Sequence, residues 1–322
     1  MVKFILRRLL FQVPVLLLGV SILLFAIFQM APGSPLAQFY AQPGMTVEDI
    51  QRVAEAYGVD RHPIEQYFDW LTSLLRGDLG VSFDLREPVS SAIGARLFPT
   101  FLLSFSALVL SLIIAIPAGI ISSTRQYSKL DYSLTVFSLI GISIPNFFFG
   151  VLLMWIVSVE LGWLPVAGMT TAGANYSFPW NVVDVVRHLT LPVIVLGLSS
   201  TATFMRYTRS SMLEVIRQDY IRTARAKGLK EKVVIYRHAL KNAMIPIVTL
   251  MGFQLPILFS GAIITEAIFS WPGLGSLQLS SVYNRDYPML MGINMMLAFL
   301  VILGNFLADM VYAYIDPRIK YD

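Results

Sequence analysis

A loop that cradles nucleotide phosphates needs Gly-Lys followed by Ser or Thr, so that backbone amides face the phosphates and an ammonium counters their charge. The dipeptide Gly-Lys occurs nowhere in the 322 residues. His62, His188 and His238 lie far apart, and none belongs to the His-Glu-x-x-His helix that would set two imidazoles around zinc. The absence of cysteine removes disulfides, thiolate nucleophiles and thiolate metal sites. There is no Gly-x-Ser-x-Gly elbow, and Gly273-Leu274-Gly275 lacks the strand, spacing and third glycine of a dinucleotide site. The sequence therefore reads as that of no enzyme, with no catalytic residue, no metal and no cofactor bound by this chain.

What remains is electrostatic. Ten basic residues fall between Arg206 and Lys241. Met212, Ile216, Tyr220 and Ala224 recur every four residues and form one helical face, with Arg209, Arg217, Arg222 and Arg225 around the rest. This predicts an amphipathic helix that thins to Ala224, Ala226 and Gly228, small enough for another surface to approach or for the chain to turn. Three readings fit the pattern equally: a helix on anionic lipid, a solvated loop, or a docking element for a cytosolic partner. Nucleic acid ranks below them, because no aromatic stacking platform is interleaved with the basic residues. Glu266 and Asp309 are the ionisable groups nearest to membrane depth, but each falls near the end of an apolar run. Both read as structural, which weighs against a proton- or sodium-driven carrier.

The elements that position these residues are set by apolarity. The composition is 56% hydrophobic and 14% charged, with a mean hydropathy of +0.67, far from the roughly 25% charged of soluble domains. Runs long enough to cross a bilayer extend over Leu9–Met30, Phe98–Ser122, Leu134–Val159, Leu189–Tyr207, Met244–Phe269 and Met289–Ala313. The first follows Lys3, Arg7 and Arg8 and reads as an uncleaved anchor, since it is long for a signal sequence and lacks a small-x-small cleavage site. An all-α integral membrane protein with six transmembrane helices follows. Lys3, Arg7, Arg8, Arg125, Lys129, the ten residues of 206–241, Arg318 and Lys320 share one side, whereas the opposite short loops hold only Arg187 and Arg285. Basic residues resist translocation, so both termini are expected to be cytoplasmic. The long segment 31–99, with nine acidic and five basic residues, is expected outside as a helical insertion. In it Thr46-Val47-Glu48-Asp49 resembles a capping box, Gly58 and Gly77 supply stops, and Pro63 suits a first helical position. It reads as a lid on the helix ends or as a contact for an external partner. Pro117, Pro145, Pro192 and Pro256 inside the runs predict kinks.

The segment Tyr220-Ile221-Arg222-Thr223-Ala224-Arg225-Ala226-Lys227-Gly228-Leu229, with His238-Ala239-Leu240-Lys241-Asn242-Ala243-Met244-Ile245-Pro246, resembles the EAA loop of type I ABC importer permeases, in particular those of the dipeptide, oligopeptide and nickel branch. The Glu-Ala-Ala triplet of that pattern falls on Arg222, Thr223 and Ala224 ahead of Gly228, with Ala224 and Gly228 as the literal matches. Ala31-Pro32-Gly33, Arg76-Gly77-Asp78-Leu79-Gly80-Val81-Ser82, Ser143-Ile144-Pro145, Gly162-Trp163-Leu164-Pro165, Glu266 to Gly275 and Asp316-Pro317-Arg318 are similar to the same branch.

The resemblance implies a type I ABC importer permease fold with an external helical insertion after the first helix. Residues 1–30 would form a cytoplasmic segment and the first span, 31–99 the insertion, 100–313 a five-span core containing the coupling loop 206–243, and 314–322 a cytoplasmic tail in the bacterial inner membrane. It implies a second homologous permease, one or two cytosolic ABC ATPase subunits that carry the ATP and Mg, an external substrate-binding protein, and surrounding membrane lipid. Arg222, Thr223, Ala224, Arg225, Ala226, Gly228 and Pro246 would couple to the ATPase, with Met212, Ile216 and Tyr220 as the apolar face. Peptides are the expected cargo, with nickel chelates, glutathione or sugars as alternatives within the branch. A self-contained carrier or channel and a membrane-anchored scaffold are the rivals outside it.

Overall fold

Inside a bilayer an apolar run must satisfy its own backbone, so it winds into a helix. A computed structural model of the chain describes residues 11–31, 36, 40 and 44–315, apart from the side chains of 56, 57, 253, 255, 256 and 307–315. Lys3, Arg7, Arg8, Pro32, Gly33, the Asp309 side chain and the residues from Asp316 onward, Arg318 and Lys320 included, lie outside the described residues. The helices are α1 (Val13–Met30), α2 (Val47–Tyr57), α3 (Pro63–Leu75), α4 (Val89–Thr124), α5 (Lys129–Ser143), α6 (Asn146–Glu160), α7 (Trp180–Ile216), α8 (Asp219–Ala226), α9 (Glu231–Ser260), α10 (Ile263–Ile268), α11 (Leu274–Tyr283) and α12 (Tyr287–Ile315). Among the described residues, α1, α4, α7, α9 and α12 are each long and apolar enough to cross a membrane, and α5 with α6 makes a sixth candidate span.

Four expected spans are redrawn. The run Leu134–Val159 is not one helix: α5 and α6 meet at a bend of 97°. The proline ring drives the preceding residue out of the helical region, and Ile144 is extended, with φ −83° and ψ 122°. The run Met244–Phe269 stops at Ser260, because Gly261 adopts φ 79°, a conformation a continuing right-handed helix cannot contain. Conversely α4 begins at Val89 and α7 occupies Trp180–Ile216, well beyond their apolar stretches, since apolarity marks bilayer burial and not the ends of a helix. Helix α4 also continues through Pro99 and Pro117, and α7 through Pro192.

Contacts divide the described chain at Phe98/Pro99 and at Pro272/Gly273, so the last span groups with the first and with the insertion, not with the core segment expected from the sequence. In this unit the capping box forms as the sequence predicts. Thr46 Oγ1 accepts from the Asp49 amide at 3.2 Å while Asp49 accepts from the Thr46 amide at 3.1 Å, and the Thr46 hydroxyl and amide hold the Asp49 carboxyl below its usual range. Helix α3 lies on α1, with Ser21 and Tyr67 hydroxyls 2.9 Å apart and Tyr67 edge-on to Phe25. Buried Asp286 caps α12 through the Met289 amide at 3.2 Å and binds the Ser82 hydroxyl and the amides of Phe83 and Asp84. This accounts for the ordered turn that follows Arg76-Gly77-Asp78.

In the other unit α4 and α7 approach closely. A Cβ on Gly119 would stand 2.6 Å from Thr208 Cβ, and one on Gly197 would meet the Ala107 carbonyl at 3.2 Å. Gly94, also on α4, faces open space. Overpacking costs about 1–3 kcal/mol, so Gly119→Ala is expected to lower the thermal unfolding midpoint of the detergent-purified protein. Gly94→Ala is expected to leave it unchanged or slightly raised. Equal midpoints for the two variants would show that the α4–α7 approach is not tight.

Candidate functional site

The basic segment is folded as two helices, and of the expected face Met212, Ile216 and Ala224 reach one buried cluster while Tyr220 does not. Helix α7 carries Met212 and Ile216 to its end, then Gln218 turns extended at ψ 150° before α8 starts at Asp219. That break resets the helical phase, so the spacing of four from Ile216 to Tyr220 loses its meaning. Tyr220 points outward, 44% exposed, and its hydroxyl accepts from Asn242 Nδ2 at 2.8 Å. Ile221 takes the buried place instead. It is the only large aliphatic residue in Asp219–Ala226, and an acid in a first turn marks a new helix start; these two signals locate α8 in the sequence.

Ile221 and Ala224, three apart, form the buried face of α8. They pack with Ile120 of α4, Met212 of α7, and Val234, Ile235, Ala239 and Ala243 of α9. The Ser211 hydroxyl, donating to the Ala243 carbonyl at 2.9 Å, joins α7 to α9 beside this seat. The opposite face presents Arg222, Thr223 and Ala226 to the outside. Arg222 makes one 3.3 Å bond to exposed Asp219, the kind of surface pair that contributes little. Arg225 bonds within the chain, with Nε and Nη2 donating to Glu231 at 3.1 and 2.7 Å, and this bonding raises the guanidinium above its ordinary value. Between them Gly228, at φ 76°, supplies the left-handed residue that ends α8. Pro246 lies farther along α9 on an exposed side and is not among the residues under α8.

Arg209 does not decorate the outward face. It faces α5, where Nε and Nη2 donate to Asp131 at 3.1 and 3.2 Å. Sequence reasoning passed over Asp131, which lies between a basic residue and an apolar run and carries no motif. Glu266 proves fully buried and not interfacial, accepting from Thr100 Oγ1 at 3.0 Å and so linking α10 to α4. His188 Nδ1 sits 2.9 Å from the Asp184 carbonyl, and His62 caps α3. His238 lies in α9.

Comparison with known proteins follows the same lines. A family model described as "Binding-protein-dependent transport system inner membrane component" matches residues 115–321, and a second, for the N-terminal part of such membrane components, matches 1–106. An oligopeptide transport system permease protein, AppB of Bacillus subtilis, is 44% identical over 322 residues, covering all of both chains. A dipeptide transport system permease protein, DppB of Escherichia coli, is 38% identical over 338 residues, covering 100% of this chain and 99% of its own. A chain of the inward-facing MetNI methionine ABC transporter superposes with a TM-score of 0.55 at 18% identity, over 70% of this chain and 97% of that one, a likeness of fold.

Removing a buried isoleucine side chain costs about 2–5 kcal/mol. Ile221→Ala is therefore expected to speed amide hydrogen exchange across α8 by roughly 30-fold or more. Tyr220→Phe, which removes one exposed hydrogen bond, should stay within about fivefold of the parent. The reverse order would place Tyr220, not Ile221, as the anchor.

Proposed function

The chain belongs to the family of binding-protein-dependent transport system inner membrane components, and from that premise we propose that it forms half of an ATP-driven import pathway for dipeptides or oligopeptides, docking a cytosolic ATPase through α8. The cargo class is supported by full-length identity to permeases named for oligopeptides and dipeptides. The placement of basic residues supports a cytoplasmic position for α8 and for both termini. In this reading a second homologous permease completes the pathway. One or two ABC ATPase subunits bind the ATP and Mg, and an external binding protein delivers the cargo.

One observation carries the docking role. Helix α8 is seated on α4, α7 and α9 by Ile221 and Ala224 while its basic, small-residue face stays open. A helix held firmly on one side and uncovered on the other can pass a push from a partner into the spans behind it. Small Thr223 and Ala226 admit close approach, and Arg222 offers a planar, permanently charged donor to acids on the partner. Arg225 keeps α8 aligned with α9 through Glu231 and acts on the partner only indirectly. Gly228 allows the chain to reverse between them.

The test is purification of the tagged chain in mild detergent, identification of accompanying subunits, and ATP-dependent uptake of labelled dipeptide and pentapeptide. A second permease and P-loop ATPases are expected to accompany it. Reversing the charge and bulk of the open face with Arg222→Glu and Ala226→Glu is expected to reduce uptake at least ~10-fold, a loss of about 1.4 kcal/mol or more at the interface. The spans should remain inserted. Unchanged uptake in this variant, or solute movement by the isolated chain without ATP, would overturn the reading.

A further inference from the structure

Asp131 stands in the first turn of α5 and is 4% exposed. A buried carboxylate is stable when its lone pairs are filled, and here they are. Oδ1 accepts from the Ser122 hydroxyl of α4 and from Arg209 Nε of α7, while Oδ2 accepts from Arg209 Nη2 and, at 2.9 Å, from the Tyr127 amide in the α4–α5 turn. One side chain thus ties together the ends of three helices.

The tie lies beside the seat of α8. Ile120, two residues before Ser122, and Met212, three after Arg209, line the cluster that takes up Ile221 and Ala224. Helix α5 contributes no residue to that cluster. Helix α5 also packs along the spans by apolar contact: Leu134, one turn past Asp131, lies against the cluster of Ala115, Ala118, Phe204, Met205 and Ile247, and a Cβ on Gly141 would meet the Leu198 carbonyl at 3.5 Å farther along. Asp131 is where α5 is bonded, and not only packed, to the α4 and α7 residues beside the α8 seat.

Resting on the docking role proposed above, we propose that Asp131 is a positioning residue that makes α5, and through the Ile144–Pro145 bend α6, move as one body with the α8 seat. A fully satisfied buried network defines one arrangement and resists partial ones. Displacement of the α4 and α7 ends then carries α5 with it. Without the tie, only apolar packing holds α5 to the seat, and the bent span follows α8 loosely.

The chain has no cysteine, so spin labels at Leu139→Cys on α5 and Glu214→Cys on α7, both exposed, report on this body without background. In the purified complex the wild-type label separation is expected to be narrow, and the same without nucleotide as with trapped ATP. Asp131→Asn, which keeps the size and loses the charge, is expected to broaden it or make it shift with nucleotide. Peptide uptake per ATP hydrolysed should fall by about tenfold or more, within the usual range of coupling between sites, while the ATPase stays bound. A mutant separation identical to wild type overturns the proposal, as does a wild-type separation that itself changes with nucleotide. If Asp131→Asn fails to accumulate, Ser122→Ala and Arg209→Lys each remove part of the tie and should broaden the separation partially; wild-type behaviour in both is equally decisive against it. Should no ATPase accompany the wild-type chain, the docking role fails, and the nucleotide-free comparison of wild type with Asp131→Asn still decides whether the tie holds α5.

Discussion

Every backbone amide and carbonyl in the hydrocarbon of a bilayer must find its partner within the protein, because no water is there to supply one. The long helices follow from that constraint, and so does the significance of the places where they stop. Ile144–Pro145 and Gly261 interrupt stretches that stay apolar on both sides of the break. Each is followed within about a turn by a residue packed on a neighbouring helix. Gly150, one turn past the first break, packs against Phe269, and Glu266, five residues past the second, is buried on Thr100. A chain that only needed to cross the membrane would have no use for these breaks. One that must reshape a path between its helices has a use for both.

Where helices run side by side, their association does not come from hydrophobic driving force, since lipid is as apolar as leucine. It comes from close backbone approach and from polar side chains whose alternative is an unpartnered group. Gly119 against Thr208 and Gly197 against Ala107 provide the first. Asp131, Asp286 and Glu266 provide the second, each buried and each bonded to more than one helix or loop. The division of work is orderly. Glycines set the distance between α4 and α7, and carboxylates fix what happens at the ends, where turns and short helices must be placed on the long ones.

How much of this is legible in the sequence differs with the physical origin of each feature. The number of spans, the capping box at Thr46 and the stops at Gly58 and Gly77 follow from apolar length and local backbone chemistry, which adjacent residues carry. The resemblance of residues 220–246 marked the segment for which the docking role is proposed, and the periodicity placed Met212, Ile216 and Ala224 on the buried face but Tyr220 in the place that Ile221 takes. Helical phase accumulates only within an unbroken helix, and the extended Gln218 is invisible to a count of every fourth residue. Asp131 and Asp286 were not found for a related reason. Their partners, Arg209 and Ser82, are 78 and 204 residues distant, and no window along the chain contains both members of either pair. The bond from Arg225 to Glu231 is hidden for a simpler reason, since the acid lies beyond the glycine that ends α8.

The tie between Ser82 and Asp286 also has a consequence in time. Synthesis runs from one end of the chain to the other, and the turn around Ser82 leaves the ribosome 204 residues before the carboxylate that will bind it. At 5–20 residues per second that interval is roughly 10–40 s. During it, the insertion has its own capped helices and its contacts with α1, but its last turn lacks the carboxylate that binds it. The final helix is therefore both a span and a clasp. Its arrival completes the part of the protein made first, so that a nascent chain truncated before α12 would be unfinished at both ends.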